Sequence, residues 1–127
     1  MPYMLLIVEP PEQRAERGEA AGREVYQQML DWTATLQQRG VLMQSSSLAH
    51  SRDAVRLQVR DGRRRVVDGP FTEAKEMVGG FFLLAGVDRD EAIAIARRCP
   101  AAEWATVEVR ALGPCYDESR APQARSA

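Results

Sequence analysis

Tyr3-Met4-Leu5-Leu6-Ile7-Val8, closed by Glu9-Pro10-Pro11, decides the fold. Six consecutive apolar or aromatic residues are too few for a membrane span. They have the length of a strand buried on both faces, and the prolines end it in a loop. A second run of the same kind, Phe81-Phe82-Leu83-Leu84-Ala85, follows Gly79-Gly80. Two such strands demand cover on two sides, and the rest of the chain can be tested for how much cover it supplies.

Outward from the first run, residues 12–19 are polar and include Gly18, which reads as a loop or a frayed helical entry. From Ala20 the period changes. Val25, Met29, Trp32 and Leu36 recur at helical spacing, and Tyr26, Leu30 and Thr33 widen the stripe. The opposite face carries Arg23, Glu24, Gln27, Gln28, Asp31 and Gln38, and Gly40 ends the helix. Trp32 and Tyr26 read as core. Residues 41–48 form a strand that loses its apolar character at Ser45-Ser46-Ser47. Val55, Leu57 and Val59 then alternate with Arg56, Gln58 and Arg60, and Asp61-Gly62 turns the chain into a returning strand at 63–67. Asp68-Gly69-Pro70 breaks that strand, and 72–77 could make about one helical turn.

Around the second apolar run the pattern repeats. Asp88 can cap a helix, with Glu91 reaching back as in a capping box. Ala92, Ile93, Ile95 and Ala96 form its buried side, and Pro100 ends it. Ala105, Val107, Val109 and Ala111 alternate with Thr106, Glu108 and Arg110 in a last half-buried strand, stopped by Gly113-Pro114. Residues 1–113 are therefore expected to form one α+β domain of order β-α-β, hairpin, β-α-β, and 114–127 a polar, disordered tail. Two helices cover one face of the sheet. The other face is expected to meet its own copy in a homodimer, the two sheets packing into a barrel-like sandwich.

Composition narrows the function. With 127 residues, 45% apolar and 28% charged, the chain has ordinary globular character, and a net charge of −1 offers no field for nucleic acid or an anionic membrane. Neither a membrane span nor a signal peptide is recognisable, so the cytoplasm is the expected compartment. Cys99 and Cys115 are too few and too far apart for a zinc knuckle or a redox pair. No metal and no cofactor are expected.

The stretch around Asp68-Gly69-Pro70-Phe71-Thr72-Glu73-Ala74-Lys75-Glu76 gathers acids, glycine, proline and the only lysine of the chain. Asp68, Glu73 and Glu76 are candidate proton-transfer groups, Lys75 an anion or carbonyl anchor, and Tyr3 and Phe71 walls of a pocket. Gly79 and Gly80 permit close approach of a ligand or another backbone. The plainer reading is good turn chemistry, with Phe71 plugging a core and the charges in water.

These residues resemble the YCII-related family, specifically its DGPF branch: Tyr3-Met4-Leu5-Leu6-Ile7, Asp68-Gly69-Pro70-Phe71 with Glu73, Lys75 and Glu76, Gly79-Gly80, and Val107-Glu108-Val109-Arg110. The resemblance implies a ferredoxin-like fold dimerised as an α/β barrel in a cytoplasmic bacterial protein. It also implies a regulatory link, because genes of this branch often neighbour extracytoplasmic-function sigma factors. Other members carry a His in the first helix and an Asp after the second, proposed as a catalytic dyad. Aligning the helix ends places those positions at Met29 and Cys99, which cannot perform the dyad's proton transfer.

Remaining candidates read as structure. His50 among Ser45, Ser46, Ser47, Ser51 and Asp53 reads as a loop, without a nucleophile elbow. Cys99 beside Arg97 and Arg98 reads as a buried inert thiol, and Arg63-Arg64-Arg65 as a solvated strand guarding an edge. Two functions stay open: a cofactor-independent enzyme or binder of a small organic molecule, and a non-catalytic regulatory or protein-interaction module.

Overall fold

In the computed structural model, which describes residues 2–116, the chain runs β1 (Tyr3–Glu9), α1 (Gln13–Arg17), α2 (Glu19–Gln38), β2 (Leu42–Ser47), β3 (Val55–Arg60), β4 (Arg63–Asp68), β5 (Met77–Leu84), α3 (Arg89–Arg98) and β6 (Thr106–Ala111). Short 3-10 turns stand at Ser51–Asp53 and Pro100–Glu103. β2, β5, β1 and β6 form, in that order, a four-stranded antiparallel sheet, and β3 pairs with β4 in a separate hairpin. This mixed α+β arrangement is compatible with a ferredoxin-like fold. The two apolar runs hold the two central positions, as their lack of polar alternates requires.

Strand parity sorts the sheet into two faces. Leu5, Ile7, Phe82 and Leu84 are buried and meet Leu36 of α2 and Ala92, Ile95 and Ala96 of α3, with Val107 and Val109 of β6 packed against them. Trp32 closes that core edge-on to Phe82, with ring centroids 5.0 Å apart. The opposite face pairs Met4 with Leu83, Leu6 with Phe81 and Val8 with Val78. These residues are half-buried, and Val78 is 43% exposed. Arg110, Glu108 and Thr106 flank that apolar stripe on β6, and Gln44 and Ser46 flank it on β2.

Helix ends follow their local chemistry. Gly40, at φ +71°, donates to the Gln37 carbonyl and Val41 to that of Leu36, a closure that satisfies the last carbonyls of α2. Asp88 accepts from the amide of Glu91 at 2.8 Å and caps α3. Glu91 does not reach back to complete a capping box, because its carboxylate pairs with Arg39 at 2.6 Å. Asp61 (φ 52°) and Gly62 (φ 74°) supply the left-handed pair that the β3–β4 turn needs.

Three further expectations are corrected. The polar stretch 12–19 contains a true short helix, α1, set off from α2 by Gly18 at φ +80°. Residues 72–77 make no helical turn: the amide of Ala74 donates to the Phe71 carbonyl, and Met77 already pairs with Glu9. A few residues between a buried Phe71 and a strand cannot recover the cost of nucleating a helix. Tyr26 is not core but 53% exposed, since only the C-terminal half of α2, with Trp32 and Leu36, packs down on the sheet. Of the expected tail, residues 117–127 lie outside the described residues. Among the described residues, no helix is long and apolar enough to cross a membrane.

Candidate functional site

Glu9 continues the inward parity of Leu5 and Ile7 and so points a carboxylate into the helix-covered face, where it is 3% exposed. A buried charge is tolerated only with a partner. α1 supplies one: Arg14 Nη2 stands 2.7 Å and Nε 3.2 Å from Glu9 Oε1. The same guanidinium donates through Nη1 to the Leu48 carbonyl at 2.9 Å and lies 3.4 Å from the Gly79 carbonyl. It thus ties together the ends of β1, β2 and β5.

The glycine pair makes room for this arrangement. Ile7 pairs with Gly80 and Val8 with Val78, so Gly79 is an extra residue in β5 at a bulge. A side chain at Gly79 would overlap Glu9 Oε1 and crowd Arg14, and one at Gly80 would meet the Ser46 carbonyl at 3.1 Å. Both glycines therefore serve close approach, but the group approaching Gly79 is a carboxylate from the neighbouring strand.

Where the N-terminal half of α2 stands off the sheet, a cleft of about 730 Å³ opens. That size suits a small organic ligand. Ile7, Val25, Met29, Leu30 and Phe82 give it apolar walls, and Tyr26 and Ser45-Ser46-Ser47 add polar edges. Glu9, Arg14, Arg17 and Trp104 also line it. The Arg17 guanidinium covers the Trp104 ring at 4.5 Å. Glu9 Oε2, Arg17 Nη2 and Trp104 Nε1 are buried with no hydrogen-bond partner among the described residues.

The Asp68–Glu76 stretch lies elsewhere. Asp68, Glu73, Lys75 and Glu76 are exposed, while Phe71 is buried beneath the Arg56 guanidinium, 3.7 Å from its ring. Arg56 also pairs with Glu73 at 3.5 Å, so it fastens this turn to the hairpin. Gly69 runs against the backbone of Ser51 and Arg52, where a Cβ would collide with both carbonyls. Of Asp68, Glu73 and Glu76, Glu76 alone lines a second, smaller recess of about 530 Å³, together with His50, Asp53, Met77 and Val78. The two recesses share Leu48. Tyr3 pairs with Leu84 and Ala111 at the opposite end of β1 from Glu9 and lines neither. Gly79 and Gly80 line the larger cleft.

His50 uses both ring nitrogens structurally. Nδ1 accepts from the Arg52 amide at 2.9 Å, and Nε2 lies 2.6 Å from the Pro11 carbonyl, to which it donates. Met29 and Cys99, the positions aligned with the relatives' dyad, do meet in space: Cys99 Sγ lies 4.0 Å from Met29 Sδ. Burial pushes the Cys99 thiol up to about 11, partly offset by hydrogen bonds with the backbone at Ala101 and Ala102. The pair is a sulfur contact, with no group ready to move a proton at neutral pH.

Glu9, Arg14, Arg17 and Trp104 escaped the sequence reading. Glu9 was readable in principle, because it keeps the odd-numbered parity of β1, but it adjoins two prolines and looks like the strand's stop. The arginines carry a weaker signal, a spacing of three within a polar stretch. The family model of the YCII-related domain matches residues 1–115. No curated protein matches the chain.

Proposed function

The chain belongs to the YCII-related family, and from that premise we propose that it binds, and without a cofactor transforms, a small organic molecule in the cleft between α2 and the sheet. One observation carries this reading: Glu9, a carboxylate 3% exposed, has one oxygen held by Arg14 and the other unpartnered among the described residues, and it lines a cleft of about 730 Å³. A buried acceptor without a partner costs stability, and its presence beside a cleft fits a role toward a ligand. Glu9 is the group to accept or return a proton, and Arg14 holds its orientation. Asp68, Glu73 and Glu76, with Lys75 as anchor, remain candidates for a second point of contact, because Glu76 lines the adjoining recess.

The protein works as a cytoplasmic homodimer of one domain, 1–113, in the DGPF branch of the family. The Asp68-Gly69-Pro70-Phe71 motif supports that branch. The dimer is supported by the apolar stripe Met4, Leu6, Val8, Phe81 and Leu83 between polar flanks, the composition of an interface core with its rim. A second reading, a regulatory module linked to extracytoplasmic-function sigma factors, has its own support in the hairpin, where Val55, Leu57, Val59 and Val66 are all more than half exposed.

A thermal-shift screen of small organic molecules tests the first reading. Gly22 lines the cleft with open space around its Cβ position, so Gly22→Phe would plug it. Compounds should raise Tm in the native protein and fail to do so in Gly22→Phe. Turnover of any substrate found should collapse in Glu9→Gln. Equal stabilisation of native and plugged protein would move the site elsewhere.

A further inference from the structure

The cleft is lined by two acids and two arginines, but their ion pairs leave one cation over. Its charged lining residues are Glu9, Arg14, Arg17 and Glu19. Glu9 and Arg14 neutralise each other at 2.7 Å, and Glu19 pairs with Arg23 at 2.6 Å. Arg17 has no carboxylate within ion-pair distance among the described residues. It is not a loose surface cation: its guanidinium lies on the Trp104 ring, and its Nη2 is buried without an acceptor. The Trp104 indole N–H is a second buried donor without an acceptor among the described residues. Arg17 and Trp104, each carrying one of these donors, both line a cleft whose walls include Val25, Met29, Leu30 and Phe82.

Resting on the cleft as the site, the geometry points to its ligand as an organic monoanion, a carboxylic acid with an apolar body. The carboxylate accepts from Arg17 Nη2 and Trp104 Nε1, and the hydrocarbon or aromatic body lies along α2 toward Phe82. A carboxylate completes both orphaned donors and supplies the missing counter-charge, in a setting where charge-assisted hydrogen bonds are strongest. A single unpaired cation matches one negative charge, and a dianion would leave its second charge against apolar walls. Glu9, which lines the same cleft with its Oε2 unpartnered among the described residues, accepts from a donor such as a hydroxyl on that ligand.

Naphthylacetate and its neutral isostere naphthylacetamide separate this assignment from the cleft itself. Both are titrated calorimetrically into the full chain at neutral pH. The acid should bind about tenfold tighter than the amide, and added salt should weaken the acid alone. Arg17→Gln should weaken the acid far more than the amide and abolish the salt dependence of the acid's binding. The salt series on the native protein keeps the test decisive if that variant fails to fold. Equal binding of acid and amide, insensitive to salt, would overturn the anionic ligand while leaving the cleft as the site. Binding of neither would overturn the cleft as well.

Discussion

At the level of single residues, Glu9, Arg14 and Gly79 form a unit whose parts cannot be exchanged independently. Arg14→Met leaves a carboxylate buried without its counter-ion and should lower the unfolding free energy by about 3 kcal/mol in a denaturant titration. Gly79→Ala places a methyl group on Glu9 Oε1 and should cost about 1–3 kcal/mol. In a Glu9→Ala background the same change should cost much less, which a double-mutant cycle reads directly. Cys99 makes a pH prediction. Its thiol is held at about 11 in the fold against 9.0 when unburied. The folded chain then keeps a proton that the unfolded chain has released. This contribution is whole below about pH 9 and is lost as pH rises through about 11. Stability should fall across that window by on the order of 2 kcal/mol more in the native protein than in Cys99→Ala. The inert character of Cys99 was legible from its place at a helix end. The unit around Glu9 was not, because its members come from β1, α1 and β5 and meet only after the bulge at Gly79 forms.

Among the elements, local patterns specified most of what formed. The alternation of Val55, Leu57 and Val59 and the Asp61-Gly62 turn gave the hairpin its register, and Asp88 marked the start of α3. Gly40 marked the end of α2, and Gly40→Ala, which forces a left-handed backbone on a side chain, should cost about 1 kcal/mol by thermal unfolding. Gly22 is the opposite case. It sits inside α2 with open space at its Cβ position, so Gly22→Ala should raise stability by up to about 1 kcal/mol. The stretch 72–77 misled because Glu73, Ala74, Lys75 and Glu76 have fair helix propensity. Burial of Phe71 and the pairing of Met77 with Glu9 override so short a preference. Tyr26 misled for a related reason: helical periodicity marks the face of α2 that turns inward, not whether a sheet lies close enough to bury it.

For the molecule as a whole, the apolar runs at 3–8 and 81–85 were the most informative feature of the sequence. They took the two central strands, and the helices covered one face only. The other face, from Met4 and Leu83 to Val8 and Val78, should be closed by a second copy. Sedimentation should then show a dimer at micromolar concentration, and Leu6→Lys should yield a monomer. The cleft was much less legible, since it arises from a helix standing off its sheet, a distance that no residue pattern encodes. The most direct test of the cleft as the site is to follow backbone amide and indole resonances by NMR while naphthylacetate is added. Shifts should cluster at residues 45–48, at Gly79 and Gly80, and at the Trp104 indole. Shifts confined to 68–76, with the Trp104 indole unmoved, would contradict it.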